Sequence, residues 1–596
     1  MRFFNNKRYI VVYILIRNYL PKDKFVNKIL NFPLDGIVNK LAYFKKVVSL
    51  IGLVFLKIKR SESTIKAGIL ASSLLVASPY SAAQENAQLK PQMKESGQEI
   101  PTIEQSQVIA QADTSLQVKK TTKPEASEVK APAKTPSYYV QFRSSGLAIQ
   151  TEPPRYVKQA NKTWLKDIDG WENVNWLDVG VVSRLRYEYN ENDFRKTTDK
   201  VDEPFSLRTR LFAAVKNKFD PLRATFEFQD SRRYNYQYPS TNLDVNKREF
   251  IQGYGELYFK DALGVDALGN DRPLSLRAGR MAFELTDKRL IARNEYRNTT
   301  NNFQGYRAVL GQLNSDWQGT LFALNPIIRF MEQADIANEA QRFYGAAFDI
   351  RKWSNVVTLQ PYYYLLQQNG SKLKYTSTGA PATAANKKDR NINTGGLRAY
   401  GIVSNTGIDW DLSYIKQWGD DGGQVYDAYN YDVEAGYTFA HAWKPRVMAY
   451  RGYASGDKNP NDSTSQRFER LFGFFRPLSH SNLIVMENFQ ANKLRGEFNP
   501  TVSLKVDFGY SWYKLASATD RWTVPNLRDT TGKSGKDIGQ EIDVRAQFPV
   551  TKYLSMVIGY SYFMAGDFAK ATSQKVTPGR GEDSHLVWID ATVVAF

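Results

Sequence analysis

The sequence contains no cysteine, which excludes disulfides and thiolate metal sites. Its three histidines, His441, His480 and His585, are too widely spaced to suggest a histidine-based metal site. Beyond residue 83 no stretch approaches the roughly 18 apolar residues that a spanning helix needs. The mean hydropathy of −0.48 is too polar for a bundle of membrane helices. Aromatic residues are missing from 84–137, although they make up 13% of the whole chain. That segment is rich in Gln, Glu, Lys, Ala, Thr and Pro and cannot bury enough apolar surface to fold alone. It reads as a disordered periplasmic linker, which we bound at 84–160, ahead of a folded body at 161–596.

The net charge of +19 suggests a nucleic-acid partner, but its distribution argues against one. Residues 1–66 hold 14 Lys and Arg against 3 Asp and Glu, and residues 67–83 hold no charge. Without 1–83 the chain has 66 basic and 58 acidic residues, a surplus of +8. The excess therefore sits mostly in a leader. Lys57, Lys59, Arg60 and Lys66 precede an uncharged stretch from Ala67 to Ala83, and Ser81 and Ala83 supply small side chains for cleavage before Gln84. This is the pattern of a secretory signal. Residues 1–56 carry a second apolar run, VVSLIGLVFL, and are either an over-extended start or part of a long signal, giving a leader region of 1–83.

From about residue 172 the pattern has period 2, the signature of half-buried strands. In DVGVVSRLRYEY, Val179, Val181, Leu185 and Tyr187 oppose Arg184, Arg186 and Glu188. In FSLRTRLFAAV, Phe205, Leu207 and Leu211 oppose Ser206, Arg208 and Arg210. In LRATFEFQDSR, Leu222, Phe226 and Phe228 oppose Arg223, Thr225 and Glu227. Arg277 and Arg307 have the same parity on their strands. Connections are expected to alternate between long, at 361–395, 452–482 and 514–540, and short, at 218–222 and 548–554. Long outer loops, short periplasmic turns, an apolar wall and a polar lumen describe an antiparallel transmembrane β-barrel. A closed barrel is required, because an open edge in lipid leaves backbone groups unsatisfied. At about 24 residues per strand and connection the body accommodates about 18 strands. Phe596, with Val594 two residues back, fits the terminal signal read by the outer-membrane barrel-assembly machinery, although Asp590 interrupts the apolar alternation.

Three blocks resemble the alginate-export family of outer-membrane barrels. The first is GRMAFELTDKRLIARNEYRNTTNNFQGYRAVL at 279–310, the second PRVMAYRGYASGDKNPNDSTSQRFERLFGF at 445–474, and the third GQEIDVRAQFPVTKYLSMVIGYSYFMAGDF at 539–568. RLRYEYNEN and FEFQDSRRY fit the family's first strands, so the resemblance spans roughly 175–596. This chain departs from the family pattern at Met281, Thr286, Ala292 and Gln304, and in its long linker. The resemblance implies an 18-stranded barrel with an arginine-rich lumen. It also implies a loop bearing on the pore, which here carries Arg289, Arg293 and Arg297. The expected pore lining is therefore Arg184, Arg186, Arg208, Arg210, Arg223, Glu227, Arg277, Arg289, Arg293, Arg297 and Arg307.

Arginine suits such a lining because its fixed charge and forked donors hold carboxylates, while several sites in series keep each grip weak. The expected function is passive, anion-favouring passage of carbohydrate-like or polyuronate solutes, including alginate-type exopolysaccharide export. The alternative is a general or specialised uptake porin. The bland reading of each lumen arginine is a structural ion pair across the pore with Glu188, Glu227, Asp230 or Glu256. A separate class is a structural or adhesin barrel with a plugged lumen. An outer-membrane lipase would need a nucleophile with a base. Ser479 and Ser481 flank His480, but sequence neighbours rarely form a working dyad, so no catalytic residue is assigned. ASGDKNPND at 454–462 could hold Ca²⁺ through oxygen ligands, but such a loop is more often turn chemistry. No cofactor, metal or nucleic acid is expected. The expected partners are an anionic solute or polysaccharide, outer-membrane lipid and periplasmic secretion proteins, in the outer membrane of a Gram-negative bacterium.

Overall fold

A computed structural model describes residue 138 and residues 151–196, 201–353, 356–474, 476–577 and 580–596. The leader and the aromatic-free segment lie outside these residues. The described chain closes into an antiparallel barrel of eighteen long strands. The first six are β1 (Leu177–Glu191), β2 (Phe205–Val215), β3 (Leu222–Tyr234), β4 (Asn246–Phe259), β5 (Leu274–Met281) and β6 (Phe303–Gly311). Next come β7 (Trp317–Ile328), β8 (Gln341–Ile350), β9 (Thr358–Gln368), β10 (Arg390–Ile402), β11 (Ile408–Asp421) and β12 (Val425–Thr438). The last six are β13 (Arg446–Ala454), β14 (Phe489–Phe498), β15 (Lys505–Lys514), β16 (Asp537–Pro549), β17 (Leu554–Ala565) and β18 (Ser584–Val594). β1 pairs with both β2 and β18, so no edge is left open.

The strands form because their side chains sort by parity into wall and lumen. Phe226 is 53% exposed on the outside, whereas its neighbour Thr225 is 4% exposed on the inside. Asp590, which breaks the apolar pattern in sequence, points inward, and Arg186 grips it at 2.5 and 2.9 Å. Connections at one end are short, as at 312–316, 403–407 and 550–553. At the other end they run to 282–302, 369–389, 455–488 and 515–536. By the usual convention these are the periplasmic and outer ends.

The expected connections shift at their ends, as 452–482 becomes 455–488 and 514–540 becomes 515–536, and one differs most. The connection expected at 361–395 is only 369–389, because 361–368 and 390–395 are strand. On β9 both faces are apolar: Tyr363 and Leu365 face out, while Tyr362, Tyr364 and Leu366 are buried inside. Period 2 cannot show when neither face is polar.

The inner face is apolar there because the lumen is not empty. Loop 282–302 is buried along almost its whole length, although it contains neither helix nor strand. Phe283 from this loop and Phe472 from loop 455–488 pack on an aromatic seat made by Phe303, Phe322, Phe343 and Tyr364 of β6 to β9. Gly345 leaves room for that seat, since a Cβ there would lie 2.2 Å from the Phe322 ring. The two loops also pair through their backbones, Phe472 N donating to Leu290 O and Ala292 N to Phe472 O.

Candidate functional site

The lumen wall and its inserted loops form the site. From β1 and β2 four arginines reach the descending loop. Arg184 donates to the carbonyls of Glu295 and Arg297 at 2.7 and 3.1 Å. Arg208 donates to the same two carbonyls at 3.0 and 2.9 Å, and to the Glu295 carboxylate at 3.0 Å. Arg210 holds both Glu295 carboxylate oxygens at 2.7 Å and Thr300 Oγ1 at 2.6 Å. Arg186 adds the Tyr296 carbonyl at 2.7 Å and stacks on the Tyr296 ring. The loop answers from its own side: Arg293 makes a two-pronged contact with Glu227 of β3 at 2.8 and 2.9 Å. Burial alone would raise the Glu295 carboxyl, but Arg210, Arg208 and Arg293 hold it well below the ordinary carboxylate range.

The eleven residues expected to line the pore are thus not one surface. Arg184, Arg186, Arg208, Arg210, Glu227 and Arg293 come together around Glu295 and fasten the loop. Arg289 lies on another side, against Asp287 and Asp432. Arg223 sits at the short-turn rim, paired with Asp220 at 2.7 Å and stacked on Tyr258. Arg277 and Arg307 face each other across β5 and β6 and share the carboxylate of Glu152. Arg297 lines a separate cavity described below. Arg184, Arg186, Arg208 and Arg210 are buried on the inner face that their parity indicates. Parity could not show that loops would descend to meet them.

One residue was missed in sequence. Glu295, the hub of the cluster, reads as one acid among arginines, and only that contrast marks it. Ser479, His480 and Ser481, weighed in sequence as nucleophile and base and set aside, have another role. Rather than forming a catalytic dyad, Ser479 Oγ, His480 N, Ser481 N and Ser481 Oγ all donate to the Glu541 carboxylate of β16, at 2.6, 2.6, 3.1 and 2.7 Å. Burial pushes the His480 imidazole well below its ordinary value, against the pull of Asp543. His480, Asp507 and Asp543 lie close enough together to hold a metal ion, but Arg495 bonds both aspartates and supplies the positive charge there. In the 454–462 loop, side-chain oxygens of Asn459 and Asp462 accept from backbone amides two residues on, as turn residues do.

Above the inserted loops lies a cavity of about 510 Å³, lined from loops 282–302, 369–389, 455–488 and 515–536 and from nearby strand ends. Its lining carries Arg297, Arg329, Lys388, Arg390, Arg467, Arg470 and Arg521 against Asp421, Glu469 and Glu487, together with five asparagines.

A family model described as alginate export matches residues 175–582. No curated protein matches the chain. Among solved structures, OccK11 (OpdR) of Pseudomonas aeruginosa is 14% identical, with a TM-score of 0.45, over 70% of this chain and 95% of that one. OprD of the same organism is 11% identical, with a TM-score of 0.42, over 70% and 93%. OccAB1 of Acinetobacter baumannii is 11% identical, with a TM-score of 0.45, over 74% and 100%.

Proposed function

The chain belongs to the alginate-export family and is an outer-membrane channel, and from that premise we propose that it passes anionic, carbohydrate-like solutes across the outer membrane of a Gram-negative bacterium. The observation that carries this is the outer cavity. Seven cationic side chains line it against three acidic ones, and with Arg467 neutralised by Asp520 behind the lining a surplus of three positive charges remains in a confined space. Fields from like charges in a low-dielectric cleft add and concentrate counter-ions. Asn294, Asn301, Asn302, Asn338 and Asn386 offer neutral donors and acceptors suited to sugar hydroxyls. The arginines around Glu295 do a different job in this reading: they keep loop 282–302 in the lumen and so narrow the bore behind the cavity. The expected solutes are uronate-bearing saccharides, whose carboxylates match forked guanidinium donors.

Planar-bilayer recording tests this. The wild-type channel should prefer anions in dilute salt, and the preference should fade towards 1 M, where the screening length is about 3 Å. Changing Arg390 and Arg467 together to Glu should shift the reversal potential towards cations. A wild-type channel that already prefers cations ends the proposal.

A further inference from the structure

The segment ahead of β1 enters the barrel. Lys158 and Gln159 pair antiparallel with Val179 and Asp178, extending the sheet below the end of β18. Tyr156 is buried against inward-facing Gly180, where an added Cβ would lie 2.8 Å from its ring, and its hydroxyl donates to Glu227. Glu152 bridges Arg277 Nη1 at 2.5 Å and Arg307 Nη1 at 2.7 Å.

Two guanidiniums directly opposite each other form a two-pronged carboxylate site, and this chain fills it with a carboxylate of its own. The site has donors to spare: Arg307 is 6% exposed, and its Nε meets no hydrogen-bond partner among the described residues. Glu256 balances one of the two charges, at 3.1 Å from Arg277 Nε. Without Glu152 the pair therefore carries a net positive charge. Phe283 beneath Arg307 and Tyr254 beneath Arg277 give it flat apolar backing.

We propose that residues 151–157 are a built-in competitor, in which Glu152 occupies a carboxylate subsite made by Arg277 and Arg307 and yields it to a carboxylate-bearing solute. A tethered carboxylate acts at an effective concentration of order millimolar. Dilute solute therefore fails to displace it and abundant solute succeeds, so the segment sets a threshold for entry from the short-turn end. This rests on the anion-passing reading above.

The test uses the full chain in planar bilayers with galacturonate as the probe. If Glu152 holds the subsite for most of the time, Glu152→Gln should tighten galacturonate block by about three- to tenfold, because apparent affinity scales with the fraction of open sites. Adding Arg307→Leu should abolish the gain. Equal block in wild type and Glu152→Gln overturns the competitor. Because the chain lacks cysteine, Glu152→Cys provides a readout that does not depend on galacturonate. An anionic thiosulfonate reagent should return the variant's conductance to the wild-type value, and a cationic reagent should not. If neither reagent changes the current, residue 152 is outside the conduction path and the proposal fails. A channel that prefers cations but responds to reagent sign at position 152 would instead sink the anion-passing reading while leaving the segment in the bore.

Discussion

The two loops that fill the lumen are fastened by opposite charge logic. At 282–302 the wall supplies cations, Arg184, Arg186, Arg208 and Arg210, and the loop supplies backbone carbonyls and Glu295. At 479–481 the wall supplies an anion, Glu541, and the loop supplies amide and hydroxyl donors. The arginine fastening joins many charged groups around Glu295, with Glu227 of the wall pairing Arg293 of the loop. The Glu541 fastening joins one carboxylate to small neutral donors. A buried network of several ions fails sharply when one member is lost, whereas neutral donors can be removed one at a time.

The largest effect is therefore expected from Glu295→Ala. It leaves Arg208, Arg210 and Arg293 buried with one carboxylate fewer, and removing one partner of a buried ion pair costs about 3–5 kcal/mol. Trypsin should then cut at Arg289, Arg293 or Arg297 in the variant and spare the wild type, while the barrel keeps its heat-resistant mobility. An uncut loop in a folded variant would mean that the carbonyl contacts suffice. Glu541→Gln should come next, weakening charge-assisted bonds worth about 1.5–3 kcal/mol each. Amide exchange at 479–483 should accelerate while 282–302 stays protected. Equal loosening of both loops would show that the backbone pairing at Phe472 makes them one body. Ser481→Ala should cost about 1 kcal/mol, with a correspondingly small rise in exchange.

A third loop, 329–340, is expected to show the smallest effect and to respond to pH. Asp335 accepts from Asn246 Nδ2 and Phe330 N through one oxygen, while its other oxygen is buried with no partner among the described residues. Burial pushes this carboxyl from 3.8 up to about 7. Since the folded value is the higher one, the folded loop favours the protonated form. Its stabilisation is complete below about 4 and is lost as pH rises through about 7. Protease cleavage of 329–340 should accelerate as pH rises from about 4 to about 7 and level off above that, and Asp335→Asn should flatten the rise.

Much of the wall was legible in sequence and little of its filling. Strands such as 205–215 and 222–234 announce themselves because one face is charged and the other apolar. β9 does not, because its inner face joins the apolar lumen cluster, Tyr364 packing on Phe322 and Phe343. The family resemblance implied that loop 282–302 bears on the pore, but nothing in its local pattern marks it as buried, since charged irregular segments are usually exposed. It is buried because the wall arginines satisfy its carbonyls. That pairing joins residues about a hundred positions apart, as Arg208 and Glu295 are, and no local pattern encodes it. Parity reads the face on which the strand arginines lie, but the partners that hold them against the loop could not be seen.

Tyr296 of one inserted loop lies between Arg186 and Arg476, and Arg476 of the other lies between Tyr296 and Trp588. Arg186 belongs to the first strand and Trp588 to the last, so half of this stack is absent until the chain's two ends meet. The last contacts of the filling are therefore completed by the same pairing that seals the wall: Arg476 has its second ring, Trp588, beside it only when the first and last strands have met.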